Sequence, residues 1–246
     1  MGTHTDMVMA ITTTDGATGS TGEATLYRLM TWLTPSFPVG AFSYSHGLEW
    51  AVEVGDIGDL GSLTGWLRDL LEWGSGRNDA ILLAEAWRAA SAGEWDRLDA
   101  VNALALALSP SRERHLETAM QGRSFAAAIG DSWPCAAVVA LRQRTGTDIA
   151  YPVAVGAAAA GHGIPLDAVV AAYLHGFVAN LVSAGVRLVP LGQTDGQRAL
   201  VALETAVAAA ARQALLSDLD DLGGAMFRAD IGSMKHETQY TRLFRS

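Results

Sequence analysis

The side chains that could act as nucleophiles, bases or metal ligands do not form a recognised catalytic motif. His236-Glu237 begins like the zinc-binding HExxH helix, but Tyr240 takes the place of the second histidine. Ser45-His46-Gly47 resembles half of a hydrolase nucleophile elbow, yet Ser43 takes the place of its first glycine. We therefore predict no catalytic residue and no enzymatic activity.

Ligands for a metal or a resident cofactor are equally scattered. No two histidines lie four residues apart, and Cys135 is the only cysteine, which excludes a disulfide within the chain and a CxxC site. Lys235 is the only lysine, so neither a P-loop lysine nor a Schiff-base lysine is available in the folded body. We predict no metal site and no cofactor, although contact of His46 or His175 with a metal ion in transit stays open.

Composition limits the classes of partner. The chain has 246 residues, enough for one large domain with a well-buried core. Only 17% of the residues are charged, against about 25% in ordinary soluble domains. This deficit indicates surface that partners or self-association cover. A formal net charge of −9 argues against binding to nucleic acid.

The longest apolar stretch lies at residues 166–189. It contains no Asp, Glu, Lys or Arg between Ala168 and Val186. A helix that is apolar nearly all round must be enclosed by protein or by lipid. His175 and Asn180 would lie near the middle of a membrane without partners, and the flanks lack basic anchors. We therefore favour a buried central helix of a soluble domain over a membrane span.

The helical spacing of apolar residues divides the rest of the chain into helices and loops. Arg114 and Glu117, three residues apart, are interpreted as a surface ion pair. No stretch has a convincing strand pattern, so we predict a single all-α domain of about eight to ten helices around the buried central helix. The predicted helices span residues 26–33, 60–73, 79–90, 94–108, 110–129, 134–144, 152–160, 166–189 and 195–215.

Three segments do not follow this pattern. Residues 1–24 are rich in Thr and Gly and are predicted to be a disordered leader before the domain at residues 25–222. Residues 35–50 form a loop, stiff with prolines and rich in aromatic residues, which is a plug over the core, a docking surface or both. Residues 223–246 form a C-terminal tail that is either a frayed terminus or a partner-binding segment, since it ends in side-chain types that anchor interfaces.

Three blocks of the sequence carry a family resemblance: residues 37–49, residues 181–197 with the turn at 190–197, and residues 233–246. They are similar to the UreF family of urease accessory proteins. The similarity covers about residues 26–246. Members of the family commonly have Gln at the position of His46.

The resemblance implies an all-α, non-catalytic scaffold and chaperone of urease maturation in the cytoplasm. Such a protein forms a homodimer, binds UreD (also called UreH) and recruits the GTPase UreG, which carries nickel to the urease apoprotein. Nickel would pass through the complex without being a cofactor of this chain, and neither nucleic acid nor a membrane would be a partner. The alternative is a GTPase-activating or fidelity regulator of UreG that inserts an arginine.

Two sets of residues carry these implied interactions. The tail would become ordered on binding UreD. The residues expected to contact UreD are Ser233, His236, Glu237, Gln239, Tyr240, Arg242, Leu243 and Phe244. Those expected to form the dimer and docking loop are Phe37, Pro38, Phe42, Ser43, Tyr44, His46 and Glu49.

Overall fold

The computed structural model describes residues 17–246, with side chains from residue 22 onward. These residues form eleven α-helices and two short 3₁₀ helices, Ala41–Ser43 and Leu219–Asp221, and contain no strand. The all-α prediction is confirmed, with one α-helix more than the ten expected at most. The α-helices are α1 (Ala17–Trp32), α2 (Leu48–Glu53), α3 (Leu60–Trp73), α4 (Ser75–Ala92), α5 (Trp95–Ala107), α6 (Arg112–Ser132), α7 (Ala136–Thr145), α8 (Tyr151–Gly161), α9 (Leu166–Leu188), α10 (Gln193–Leu216) and α11 (Phe227–His236).

Polar caps determine where two of the helices begin. The Asp59 side chain accepts a hydrogen bond from the Ser62 N–H at 2.7 Å, and the Ser62 hydroxyl accepts from the Asp59 N–H at 3.1 Å, so α3 begins with a capping box. The Ser111 hydroxyl accepts from the Arg114 N–H at 3.2 Å and caps α6. The predicted start of this helix at residue 110 is therefore two residues early.

The expected central helix exists, but it is α8 and not α9. Every residue of α8 from Pro152 to Ala159 is buried, and α4, α6 and α7 pack against it. Its alanines and its glycine allow α4 to approach closely, since a Cβ atom at Gly156 would lie 2.5 Å from the Leu83 carbonyl oxygen. α9 lies beside α8 with one face buried and the face that carries His175 exposed. Both helices have sequences that are apolar on nearly all faces, so the sequence did not show which of the two is the central helix.

Two of the described helices, α9 and α10, are long and apolar enough to cross a membrane when only length and composition are considered. They pack against each other and against α3. Because the core helices of helical domains meet the same two conditions, this composition does not by itself indicate a membrane span.

The three segments outside the predicted helices contain more helix than expected. Residues 1–16 of the predicted leader lie outside the described residues, whereas residues 17–24 belong to α1. The loop at residues 35–50 contains a 3₁₀ turn and the beginning of α2. The tail at residues 223–246 contains α11, which packs against α2 and α6. The loop and the tail therefore lie in one region of the domain.

The close approach of α4 and α8 gives a test of the core. Gly156→Ala would place a methyl group against the α4 backbone, and we expect the free energy of unfolding to fall by about 1–3 kcal/mol. In the matched variant Gly65→Ala, nothing lies within 4 Å of the new methyl group, and the free energy should rise by about 0.5–1 kcal/mol because alanine favours the helix. Urea denaturation measures both, and equal effects of the two substitutions would contradict the packing described.

Candidate functional site

The C-terminal tail folds back onto the loop at residues 35–50. The Ser45 N–H donates to the main-chain oxygen of Ser246 at 2.7 Å, and the Arg245 N–H donates to the Ser43 carbonyl at 2.8 Å. The side chain of Phe244 is buried, as is the whole of Ser246. The loop and the end of the chain therefore form one packed unit.

Glu49, in the first turn of α2, is the main polar anchor of the tail. Its carboxylate accepts hydrogen bonds from the Leu243 N–H at 2.6 Å and from the Phe244 N–H at 2.9 Å. The same carboxylate lies 3.1 Å from Nε2 of His236, which is completely buried. One side chain thus satisfies two main-chain donors and one ring nitrogen of the tail.

His236 joins Glu49 to the first turn of α6. Its Nδ1 lies 2.6 Å from a carboxylate oxygen of Glu113. Both ring nitrogens of His236 therefore face carboxylate oxygens. The Arg242 guanidinium donates to the other oxygen of Glu113 at 2.7 Å. The tail is therefore connected to α2 and to α6 by a continuous chain of charged groups.

A second buried carboxylate, Glu117, lies one turn further along α6. His46 Nε2 lies 2.6 Å from it, Gln121 Nε2 donates at 3.1 Å, and the Ser246 hydroxyl donates at 2.7 Å. Arg114 completes the set with an ion pair. Burial would raise the pKa of Glu117, but the charge of Arg114 and the hydrogen bonds from His46 and Ser246 lower it to about 2. The prediction that Arg114 and Glu117 form a surface ion pair is therefore wrong in its location, because both side chains are buried.

His46 holds a strained conformation at this point. It is the only residue other than glycine in residues 17–246 with a positive φ, at 56°. Its Nδ1 is buried without a hydrogen-bond partner among the described residues, and its ring packs edge-on against Phe177 at 5.1 Å between centroids. Burial and the charge of Arg114 lower the pKa of His46. The single polar contact with Glu117 therefore fixes this ring in an otherwise unfavourable position.

The next residue, Gly47, shows why the loop needs a glycine where the tail covers it. Its φ is 78°, and a Cβ atom there would lie 2.8 Å from the Ser233 main-chain nitrogen of α11. Any side chain at this position would push α11 off the loop.

The outer face of α11 is apolar and unpartnered within the described residues. Phe227, Ile231 and Met234 follow each other at helical spacing with exposed fractions of 65%, 53% and 49%. Tyr240 and Leu243, which follow α11 in the chain, are also exposed. We call these five side chains the α11 face. An exposed apolar face of this kind is typical of a protein interaction site.

A separate cavity of about 530 Å³ opens between α1, α9 and the loop, with α4, α6 and α8 below it. Its walls are largely apolar. Asp79 lies at its base and accepts a hydrogen bond from the Tyr173 hydroxyl at 3.0 Å. Burial, against the opposing charge of Arg114, raises the pKa of Asp79 to about 6.

Comparison with known proteins decides the family. The sequence model of the UreF family matches residues 57–204. The chain is 57% identical over 238 residues to the urease accessory protein UreF of Rhodopseudomonas palustris strain BisA53, covering 97% of this chain and 100% of that protein. It is 56% identical over 219 residues to the same-named protein of Methylobacterium radiotolerans, covering 89% and 96%.

This chain belongs to the UreF family. The resemblance drawn from the three sequence blocks is confirmed, and with it a role as an accessory protein of urease. In the described part of this UreF chain, no three His, Cys, Asp or Glu side chains are placed to hold a metal ion.

The structure brings the two predicted sets of UreF residues together but divides them by exposure. Five predicted residues are buried at the junction of loop and tail: Tyr44, His46, Glu49, Ser233 and His236. Phe37 and Phe244 are buried as well. The remaining predicted residues are exposed or half-buried: Pro38, Phe42, Ser43, Glu237, Gln239, Tyr240, Arg242 and Leu243. The tail packs against the loop and α6, and its ordering on binding UreD stays a prediction.

The sequence analysis missed two groups of residues. Glu113 binds His236 of the tail, and Ser246 anchors the end of the tail to Glu117. Neither residue gave a signal, because nothing in the sequence distinguishes them from an ordinary surface glutamate and an ordinary serine. Phe227, Ile231 and Met234 did give a signal, since they have the i, i+4, i+7 spacing of a helix face. This spacing was overlooked because the tail was treated as an irregular segment.

The anchoring by Glu49 predicts a specific loss of tail structure. Glu49→Ala removes the acceptor of two N–H groups and of His236, so we expect the free energy of unfolding to fall by about 2–4 kcal/mol. Trypsin should then cleave the native protein after Arg242. Glu53→Ala, an exposed position on the same helix, is the matched control and should change neither measurement. Resistance of the Glu49 variant to trypsin would contradict this role.

The raised pKa of Asp79 predicts a pH effect on stability. The folded state retains a proton that the unfolded state loses above about pH 3.8, so the free energy of unfolding should decrease as pH rises from about 4 to 6. Asp79→Asn cannot ionise, and it should be more stable than the natural chain at pH 7 by about 1–3 kcal/mol. The two chains should converge below pH 4. Parallel denaturation profiles over pH 3.5–7.5 would show that Asp79 is not perturbed.

Proposed function

We propose that this chain is a non-catalytic scaffold of urease maturation in the cytoplasm. In this role it binds UreD (UreH) and recruits the GTPase UreG, so that nickel reaches the urease apoprotein. Membership of the UreF family supports the assignment to urease maturation. The single observation that carries the scaffold role is the α11 face, an exposed apolar surface that buried carboxylates hold in a fixed position.

The α11 face is the proposed contact with UreD. Aromatic residues, Met and Arg are enriched in protein interfaces, and a few such residues supply most of the binding energy. Tyr240 is fully exposed, and Arg242 lies beside it with its guanidinium held by Glu113. Because the Arg242 guanidinium is already held in place, little conformational entropy of this side chain is lost when a partner binds.

A second exposed surface supports the proposed homodimer. Leu26, Tyr27 and Met30 of α1 are exposed by 60% or more. Phe42, which is 59% exposed, belongs to the loop expected to pair or dock. Arg187 of α9 donates to the Phe42 carbonyl at 3.0 Å and stacks over the Phe244 ring at 4.4 Å. The loop that carries Phe42 is thus fixed by the tail, which couples the two proposed surfaces.

The UreD contact is tested by a charge in the α11 face. Ile231→Glu places a carboxylate at its centre, and we expect UreD to be lost from affinity purification of the tagged chain, a fall in affinity of about tenfold or more. Leu216→Glu, at an 84% exposed position on α10, is the matched control and should retain UreD. Deletion of the tail is less informative because it also removes buried residues. Retention of UreD by the Ile231 variant, with unchanged thermal stability, would refute the proposed surface.

A further inference from the structure

The cavity between α1 and α9 has an apolar wall and a charged base. Leu29 and Leu33 of α1 and Ala172 of α9 contribute to the wall. The base is formed by Asp79 of α4 and by side chains of α6, α8 and α9. A volume of about 530 Å³ lies in the range of pockets that enclose a small molecule.

The charged groups at the base are not equally free to meet a ligand. Glu117 is saturated by its contacts with Arg114, His46, Gln121 and Ser246. Asp79 makes one side-chain hydrogen bond among the described residues, from Tyr173 to its Oδ2 atom. Its Oδ1 atom therefore remains available as an acceptor.

Two tyrosines lie near this carboxylate. The Tyr151 and Tyr173 rings lie 5.5 Å apart with their planes inclined at 44°, and Phe177 also lines the cavity. Aromatic faces attract cations, and a carboxylate accepts hydrogen bonds from their N–H groups. This combination of a carboxylate, two phenol rings and an apolar wall suits an organic cation.

Other classes of ligand fit less well. An anion would meet Asp79 and Glu117 with only Arg114 as counter-charge, and Arg114 is already paired. A purely apolar molecule would leave the Asp79 carboxylate buried without a further partner, which is costly. A tightly held metal ion needs several ligand side chains, and the described residues contain no group of three.

We propose that this cavity binds a small organic ammonium ion. The ammonium group donates to Asp79 Oδ1 beside the Tyr151 and Tyr173 rings, and the hydrocarbon part lies along α1 and α9. None of the five side chains of the α11 face lines this cavity. Failure of one proposal therefore leaves the other intact.

The test compares two probes of the same length in isothermal titration calorimetry of the full chain. Hexylamine is protonated at neutral pH, whereas hexan-1-ol is neutral. We expect hexylamine to bind about tenfold or more tightly than hexan-1-ol, because a charge-assisted hydrogen bond is formed only by the amine. Asp79→Asn should reduce hexylamine affinity to that of hexan-1-ol. Asp230→Asn, a half-buried carboxylate of α11 that does not line this cavity, is the matched control and should leave both affinities unchanged.

The natural chain supplies a second measurement that needs no variant. Because burial raises the pKa of Asp79 to about 6, hexylamine affinity should fall as pH is lowered from 7.5 to 5, while hexan-1-ol affinity should not change. Equal affinities of the two probes across this range would overturn the proposal. Unchanged hexylamine binding by a folded Asp79→Asn variant would overturn it as well.

Discussion

The burial of two glutamates, Glu49 on α2 and Glu117 on α6, is the constraint on which the rest of the structure depends. A carboxylate removed from water costs several kcal/mol unless charged or N–H donors surround it. Here the tail supplies many of those donors, from His236, from two main-chain N–H groups and from the Ser246 hydroxyl. Without the tail, both carboxylates would lose partners, so the loop, α6 and the end of the chain fold as one unit.

This constraint explains how a chain without a recognisable catalytic motif can present a defined surface. Polar contacts lie on the buried side of the tail, and the α11 face lies on its exposed side. A tail that ordered only on binding would lose about 2–5 kcal/mol of the interaction energy. Here the contacts of the tail with Glu49 and Glu117 compensate the loss of conformational entropy when the chain itself folds. The strained His46 and Gly47 belong to the same arrangement, because His46 lies beside Glu117 and Gly47 lies directly under α11.

Local pattern predicted the helices well, and long-range pairing could not be predicted. The apolar spacing in α3 and α10 and the proline near the start of α8 placed these elements within a few residues. α8 and α9 were confused because a helix apolar on all faces does not reveal which neighbours enclose it. The contact between Glu49 and Phe244 joins residues 195 positions apart, and sequence spacing carries no signal over that distance. Loop and tail were each recognised as candidate sites, but their union was not.

Hydrogen–deuterium exchange of the isolated, unmodified chain tests the central claim most directly. The N–H groups of Leu243 and Phe244 donate to Glu49 in the folded domain, so they should exchange slowly, at rates near those of α11. Exchange of both groups at the rate of an unstructured peptide, while α8 remains protected, would mean that the tail is not held by the buried carboxylates. That result would contradict the account.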